Sequence, residues 1–289
     1  MPPCPTPVAR GEVSDDGCGR QVDTSLHSDA EAPIATPTFS FGLPPSLGRE
    51  PVHELAREFA DVLYDAGFTT VVPFKTYEAL QQGLLAGEVD AAWGPPLICA
   101  RIEAAGGTVA LRAVRRGAVT YRSVLLSRKL DTFDVASLTA STFRPRAVWV
   151  DTWSMAGYLL PRAHLRRAGV DLAEALLSEK LLGSYTACFD AVLNFEAEMT
   201  ASFIGETALD ALWGDRGRRL RPIAYTDEIP NDGVVLAPSV PPDRRVALAD
   251  NLRTLLAGER GHRVLCSVFT ATAFDRPVAN TYAPILDLV

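Results

Sequence analysis

Basic residues are scarce in this 289-residue chain, which carries 28 Lys and Arg against 35 Asp and Glu, for a formal net charge of −7. Nucleic-acid binding needs a basic face to neutralise phosphates, and no segment supplies one, so nucleic acid is not expected as a partner. Nor does any run approach the roughly 18 apolar residues of a membrane-spanning helix, so no membrane insertion is expected and the chain reads as soluble. The four histidines, His27, His53, His164 and His262, form no pair at metal-ligand spacing and no Cys-x-x-Cys accompanies them, which argues against a metal site. Five widely spaced cysteines, Cys4, Cys18, Cys99, Cys188 and Cys266, are odd in number and make no disulfide framework; they suit a reducing compartment. Both phosphate-cradling glycine motifs, GxxxxGK[ST] and a GxGxxG after a strand, are missing, so neither ATP nor a dinucleotide is implied and no cofactor is expected.

What is present is enough apolar material, 47% of the chain, for one large or two modest domains with real cores. Residues 1–36 stand apart. They are rich in Pro, Asp, Ser and Thr and carry Glu12, Asp15, Asp16, Asp23, Asp29 and Glu31 against Arg10 and Arg20, a composition that predicts a disordered acidic tail. Beyond them, apolar runs bounded by turn residues alternate with segments of helical period, the pattern of an α/β fold with parallel strands. Strands are expected at Thr38–Gly42, Thr69–Phe74, Val89–Trp93, Val109–Val114, Tyr121–Ser127 and Ala147–Val150. Helices are expected at Pro51–Ala66, Tyr77–Ala86, Leu97–Ala105, Met155–Ala168, Leu172–Leu182, Ala187–Phe195 and Arg244–Ala257, with Gly67, Gly106 and Gly169 as stops. Leu220–Tyr225 and the following IPNDGVVLAP read as a return crossing. The arginines Arg216, Arg218, Arg219 and Arg221 read as an exposed loop.

Six pieces, in order, carry a family resemblance: LLAGEVDAAWGPP, TYRSVLLSR, DTWSMAGYLLP, GSYTACFDAVLNFEAEMTAS, IPNDGVVLAP and the closing Tyr282. Over roughly residues 38–289 the chain resembles the type II periplasmic-binding-protein fold, in particular the solute-binding components of phosphate, phosphonate and sulfonate transporters. The resemblance implies two α/β lobes joined by a hinge around a central ligand cleft. Residues 37–122 with 229–289 would form a discontinuous lobe one, and residues 123–228 lobe two.

It also places a ligand at the start of the helix opened by Asp151–Pro161, where free backbone N–H groups and the macrodipole make an anion site without a basic side chain. The family commonly has Ser-Thr-Ser-Gly there; this chain has Ser154, Met155, Ala156 and Gly157, so one hydroxyl remains of three. Each lost charge-assisted hydrogen bond is worth roughly 1.5–3 kcal/mol, and a carboxylate or a less polar ligand gains ground over a phosphonate. Gly183-Ser184-Tyr185 in place of Gly-Ser-His, and Phe195 and Glu198 in place of a Gly and an Asp, point to a remodelled pocket. Loops at the carboxyl ends of parallel strands should add Pro45, Ser46 and Leu47, then Lys75 and Thr76, then Trp93 and Gly94. Trp93, Tyr121 and Tyr185 would form an aromatic wall, set against the plainer reading of lobe core. Asp90, Asp151 and Glu206 would meet an ammonium group, although an Asp just before a helix commonly serves only as its cap.

The expected function is therefore non-catalytic capture of a small anionic or zwitterionic metabolite (phosphonate-like, sulfonate or carboxylate) by hinge closure, by a monomer serving a transporter permease. The alternative is a cytoplasmic enzyme on the same fold acting on a carboxylate metabolite, as in menaquinone-pathway enzymes. Ser154 follows a strand and opens a helix as a hydrolase nucleophile would, but Thr152 breaks the required Gly-x-Ser-x-Gly elbow. The opening MPPCPTPVARGEVSDDGCGR has no basic start, apolar core or small-residue cleavage site, which leads to the expectation of a cytoplasmic protein, or of a periplasmic one with a different start.

Overall fold

A computed structural model of the chain describes residues 38–47, 51–140, 143–205 and 207–288. The acidic segment 1–36 and Glu206 lie outside them.

The first half alternates strand and helix, as the periodicity leads one to expect: β1 (Phe39–Leu43), α1 (Pro51–Asp65), β2 (Phe68–Pro73), α2 (Tyr77–Ala86), β3 (Ala91–Gly94), α3 (Pro96–Ala104) and β4 (Thr108–Val114). β1 pairs in parallel with both β2 and β3. The chain then leaves along β5 (Thr120–Arg128) and passes through α4 (Val135–Thr139), β6 (Arg146–Trp149), a π-helical turn (Met155–Leu159), α5 (Leu160–Arg167), α6 (Leu172–Ala175) and β7 (Ser178–Leu181). It continues through α7 (Tyr185–Leu193), β8 (Thr200–Ile204), α8 (Leu209–Trp213) and α9 (Asp215–Arg219), and returns along β9 (Leu220–Pro230). β10 (Gly233–Leu236), α10 (Pro242–Ala257), α11 (Glu259–Phe269) and β11 (Ala273–Asp275) complete it.

Because it comes back from the opposite direction, β10 inserts antiparallel between β3 and β4, giving a six-stranded sheet of order β11-β4-β10-β3-β1-β2. The carboxyl ends of β1, β2, β3 and β4 and the amino end of β10 therefore share one edge. β8, β5 and β9 form a second sheet, and β6 with β7 a parallel pair drawn to it by the bridge between Ala147 and Met199. One apolar cluster fills the space around the six-stranded sheet, with Phe41, Phe59, Phe68 and Phe269 meeting mostly edge to face, while two separate clusters flank the smaller sheets. These are the two lobes of a type II periplasmic-binding-protein fold.

The chain crosses twice between the sheets, at the start of β5 and the end of β9, where Thr120 pairs with Pro230 and Tyr121 with Ile229. The second crossing is fastened at the buried Asn231. Its side-chain amide donates to the carbonyls of Ala113 and Ala118 (both 3.0 Å), its backbone N–H donates to Val119 O (2.9 Å), and its carbonyl accepts the Tyr282 hydroxyl (2.7 Å). The backbone N–H and carbonyl and the side-chain NH2 of that buried residue are thus all used, as burial demands.

Two expectations need correction. Leu172–Leu182 is not one helix: α6 ends at Ala175 and Ser178–Leu181 runs as edge strand β7, exposed throughout. The arginine cluster is not a loop but largely helix α9. Arg216 there grips Asp190 at 2.6 and 2.9 Å, and Arg221, on β9, donates to the carbonyls of Asp131 and Phe133.

Candidate ligand site at the interlobe cleft

Ser154 caps the helical run that follows β6, its Oγ accepting from Gly157 N at 3.1 Å. The first turn is π-helical, so the N–H groups of Leu159 and Leu160 reach back five residues to the carbonyls of Ser154 and Met155. Pro161 has no N–H to offer the Gly157 carbonyl, and that oxygen instead accepts from Val150 N at 3.3 Å, tying the helix to the end of its own strand. Such closeness requires glycine at 157: a Cβ there would lie 2.5 Å from Val150 Cγ2 and 2.7 Å from Ser154 Oγ. Asp151 is not the helix cap, a place taken by Ser154; its Oδ1 accepts from Trp153 N at 2.7 Å and closes the turn just before the helix.

Met155 and Ala156 turn inward. Met155 is 4% exposed and joins the apolar cluster of the six-stranded sheet, while the Ala156 carbonyl accepts from the buried Ser123 hydroxyl at 2.7 Å. The hydroxyls that approach Ser154 come from elsewhere. Tyr185, the first residue of α7, places its hydroxyl 3.4 Å from Ser154 Oγ. Burial pushes the Tyr185 hydroxyl well above its ordinary pKa, Ser154 works against that rise, and Asp151, Asp232 and Tyr77 add to it. Tyr121, at the first crossing, is also pushed up by burial, with Asp232 and Tyr185 adding and Arg115 opposing. Tyr77, the first residue of α2, is raised by burial too; Ser46 opposes the rise, and Asp232 and Asp151 add to it from a distance. Burial thus favours the protonated form of Tyr185, Tyr121 and Tyr77, with Tyr185 at the capped helix start and their surroundings charged by Asp151, Asp232 and Arg115. Arg115 and Asp232 pair at 2.7 Å with side chains 32% and 23% exposed, which leaves one net negative charge among the three.

Of the residues singled out from sequence, Ser154, Asp151, Tyr121, Tyr185 and Ser46 come together. Others do not. Trp93 is 4% exposed and lies flat on Phe269 at 4.1 Å, 10° between planes, so strand alternation has turned it into the core and no Trp93–Tyr121–Tyr185 wall exists. Lys75 is exposed, and the Thr76 hydroxyl is taken up in capping α2 through Ala79 N at 3.1 Å. Asp90 accepts from Ser40 N and Oγ at 2.8 Å. Glu198 is bound by Arg146, at the end of β6 away from Asp151, and Phe195 is an exposed residue with φ 64° under the Arg128 guanidinium. These two have not remodelled the pocket.

Tyr77, Trp153, Arg115 and Asp232 were not singled out. Tyr77 and Arg115 follow β2 and β4, where the strand-end rule applied to Lys75 and Thr76 would have found them. Asp232 stood inside the quoted IPNDGVVLAP. A cavity of about 360 Å³ lies elsewhere, along α5, the end of β9 and the closing turn at Thr281–Leu288. Among the described residues, no helix is long and apolar enough to cross a membrane, and no group of three or more His, Cys, Asp or Glu is arranged to hold a metal ion.

A family model described as "ABC transporter, phosphonate, periplasmic substrate-binding protein" matches residues 41–282. Among solved structures, a binding-protein component of an ABC phosphonate transporter from Pseudomonas aeruginosa is 21% identical, with TM-score 0.67 over 88% of this chain and 85% of the other. A phosphonate-binding protein from Prochlorococcus marinus in complex with methylphosphonate is 17% identical, with TM-score 0.66 over 87% and 96%. A Xanthomonas citri protein bound to ATP is 17% identical, with TM-score 0.68 over 87% and 99%. At these identities the likeness to the three structures speaks for the fold. No curated protein matches the chain. The family match overturns the expectation of a cytoplasmic protein: the family is periplasmic. It also leaves the enzyme alternative without support, since these are binding proteins.

Proposed function

Because this chain belongs to the periplasmic substrate-binding proteins of ABC phosphonate transporters, we propose that its cleft captures a compact zwitterionic metabolite and presents it, as a monomer, to a transporter permease. The lobes are assigned as residues 37–122 with 229–289 and residues 123–228, closing about the paired crossings. One observation carries this reading: the Tyr185 hydroxyl stands 3.4 Å from Ser154 Oγ at the capped helix start, beside Trp153 stacked on Tyr77.

The helix start, the Ser154 hydroxyl and the tyrosines would hold the anionic end, a phosphonate, sulfonate or carboxylate, by neutral donors alone. With Arg115 and Asp232 committed to each other, a dianion meets the net negative charge of Asp151, whereas an ammonium group is matched by it. Burial keeps the tyrosines protonated, so they donate throughout the neutral range.

Thermal-shift measurements test this with methylphosphonate, inorganic phosphate, acetate, aminoalkyl phosphonates, aminoalkyl sulfonates and α-amino acids. The zwitterions should raise the melting temperature more than their plain anions at equal concentration. A response to methylphosphonate and phosphate that exceeds every zwitterion, or none to any compound, overturns the assignment.

A further inference from the structure

Trp153 sits between the ligand-facing residues Asp151 and Ser154, yet its side chain serves neither the cap nor the lobe-two core. Its indole crosses the cleft. There it stacks on Tyr77 of α2, with ring centroids 6.3 Å apart and 30° between planes. The Arg101 guanidinium of α3 lies 5.3 Å from the indole centroid, and that arginine is held in turn by Gln81 Oε1 of α2 at 2.8 Å. A side chain that follows β6 is therefore received in a slot made wholly by helices of the six-stranded sheet, and it packs against that sheet's apolar cluster.

We propose that Trp153 is a positioning residue for capture: an aromatic bolt by which the protein holds its own lobes together before any ligand arrives. In a hinged binding protein the closed state is ordinarily stabilised by ligand contacts to both lobes, and its population without ligand depends on what the lobes offer each other. The bolt offers a ring stack and a cation–π contact, both broken on opening and both made whether or not the site is filled. Met155 and Leu160 also pack into that sheet's cluster, and Arg116 Nη1 donates to Thr207 Oγ1 at 2.5 Å in an exposed polar contact worth less than the ring stack. The bolt also holds Tyr77 of α2 against the residue next to Ser154, so opening at Trp153 separates the two helix starts.

The inference rests on the cleft closing by hinge motion, but its test needs no ligand. Small-angle scattering of the ligand-free chain should show a compact wild type, and a Trp153→Ala variant with a larger radius of gyration, its closed-to-open ratio lowered roughly tenfold. Trp153→Phe keeps the stack and should restore most of the compactness. Arg101→Met removes only the cation and should open the protein partially, with an unchanged urea midpoint. Scattering from folded Trp153→Ala that overlays wild type overturns the proposal; if that variant does not fold, wild-type scattering from Arg101→Met does so. Opening by Trp153→Ala together with no thermal response to any compound in the ligand panel would sink the ligand assignment and leave the bolt standing.

Discussion

Two helix starts meet across the cleft and use the same cap in different ways. Thr76 and Ser154 each accept from the N–H three residues on, both at 3.1 Å. After Thr76 comes Tyr77, whose ring stays at the cleft; after Ser154 come Met155 and Ala156, which turn into buried packing. A cap hydroxyl satisfies the helix in either setting and leaves the next residues free to change. At the Ser154 end the hydroxyl that comes near the cap belongs to Tyr185 of α7, 3.4 Å from Ser154 Oγ. On the proposed reading, a helix start keeps its anion-binding character with fewer serines and threonines of its own.

The strongest way to break the comparison is at the third helical position. In α2 that residue is already Ala79, whereas in the Ser154 run it is Gly157, packed on Val150 and Ser154. Gly157→Ala should cost about 1–3 kcal/mol from overpacking, read as a lowered urea midpoint, and should abolish the ligand-induced thermal shift. Replacing the caps sharpens the contrast: Ser154→Ala and Thr76→Ala should each cost about 1 kcal/mol, but only the first should remove the ligand response. Equal loss of response in both would mean the two starts hold the ligand alike.

The smallest effect at neutral pH belongs to the tyrosines. Their pKa values are raised by burial in the folded chain, so the stability they contribute is fully present below the unfolded value near 10 and is lost as pH rises above it. Urea midpoints should fall steeply from about pH 10 upward, and Tyr185→Phe should flatten that fall by up to one proton, or about 1.4 kcal/mol per pH unit. An unchanged slope would place the Tyr185 hydroxyl in water.

The first half of the fold was legible because each βα unit announces itself: an apolar strand, a helical stripe and a glycine stop, as at Tyr77–Ala86, where the expected and observed helices coincide. β7 was not, because Ser178–Leu181 is exposed on an edge and shows neither alternation nor an apolar run. Ser154 and Tyr185, which the fold brings within 3.4 Å of each other, were readable as neighbours from chain order. Trp93 was misjudged because the strand's period of two, not its nearness to the cleft, decides where its ring points. Arg115 with Asp232, and Arg146 with Glu198, pair across 117 and 52 residues, and nothing local records such partnerships.

The Gly157 carbonyl, left by Pro161 without a helical donor, accepts from Val150 and so ties β6 to the π-helical turn that leads into α5. One flank of that helical run, at Leu160, Ala163, His164 and Arg167, borders the 360 Å³ cavity. A solvent-sensitive dye on a His164→Cys variant would show whether binding at the Ser154 end is felt there, and a response would make the protein usable as an optical sensor.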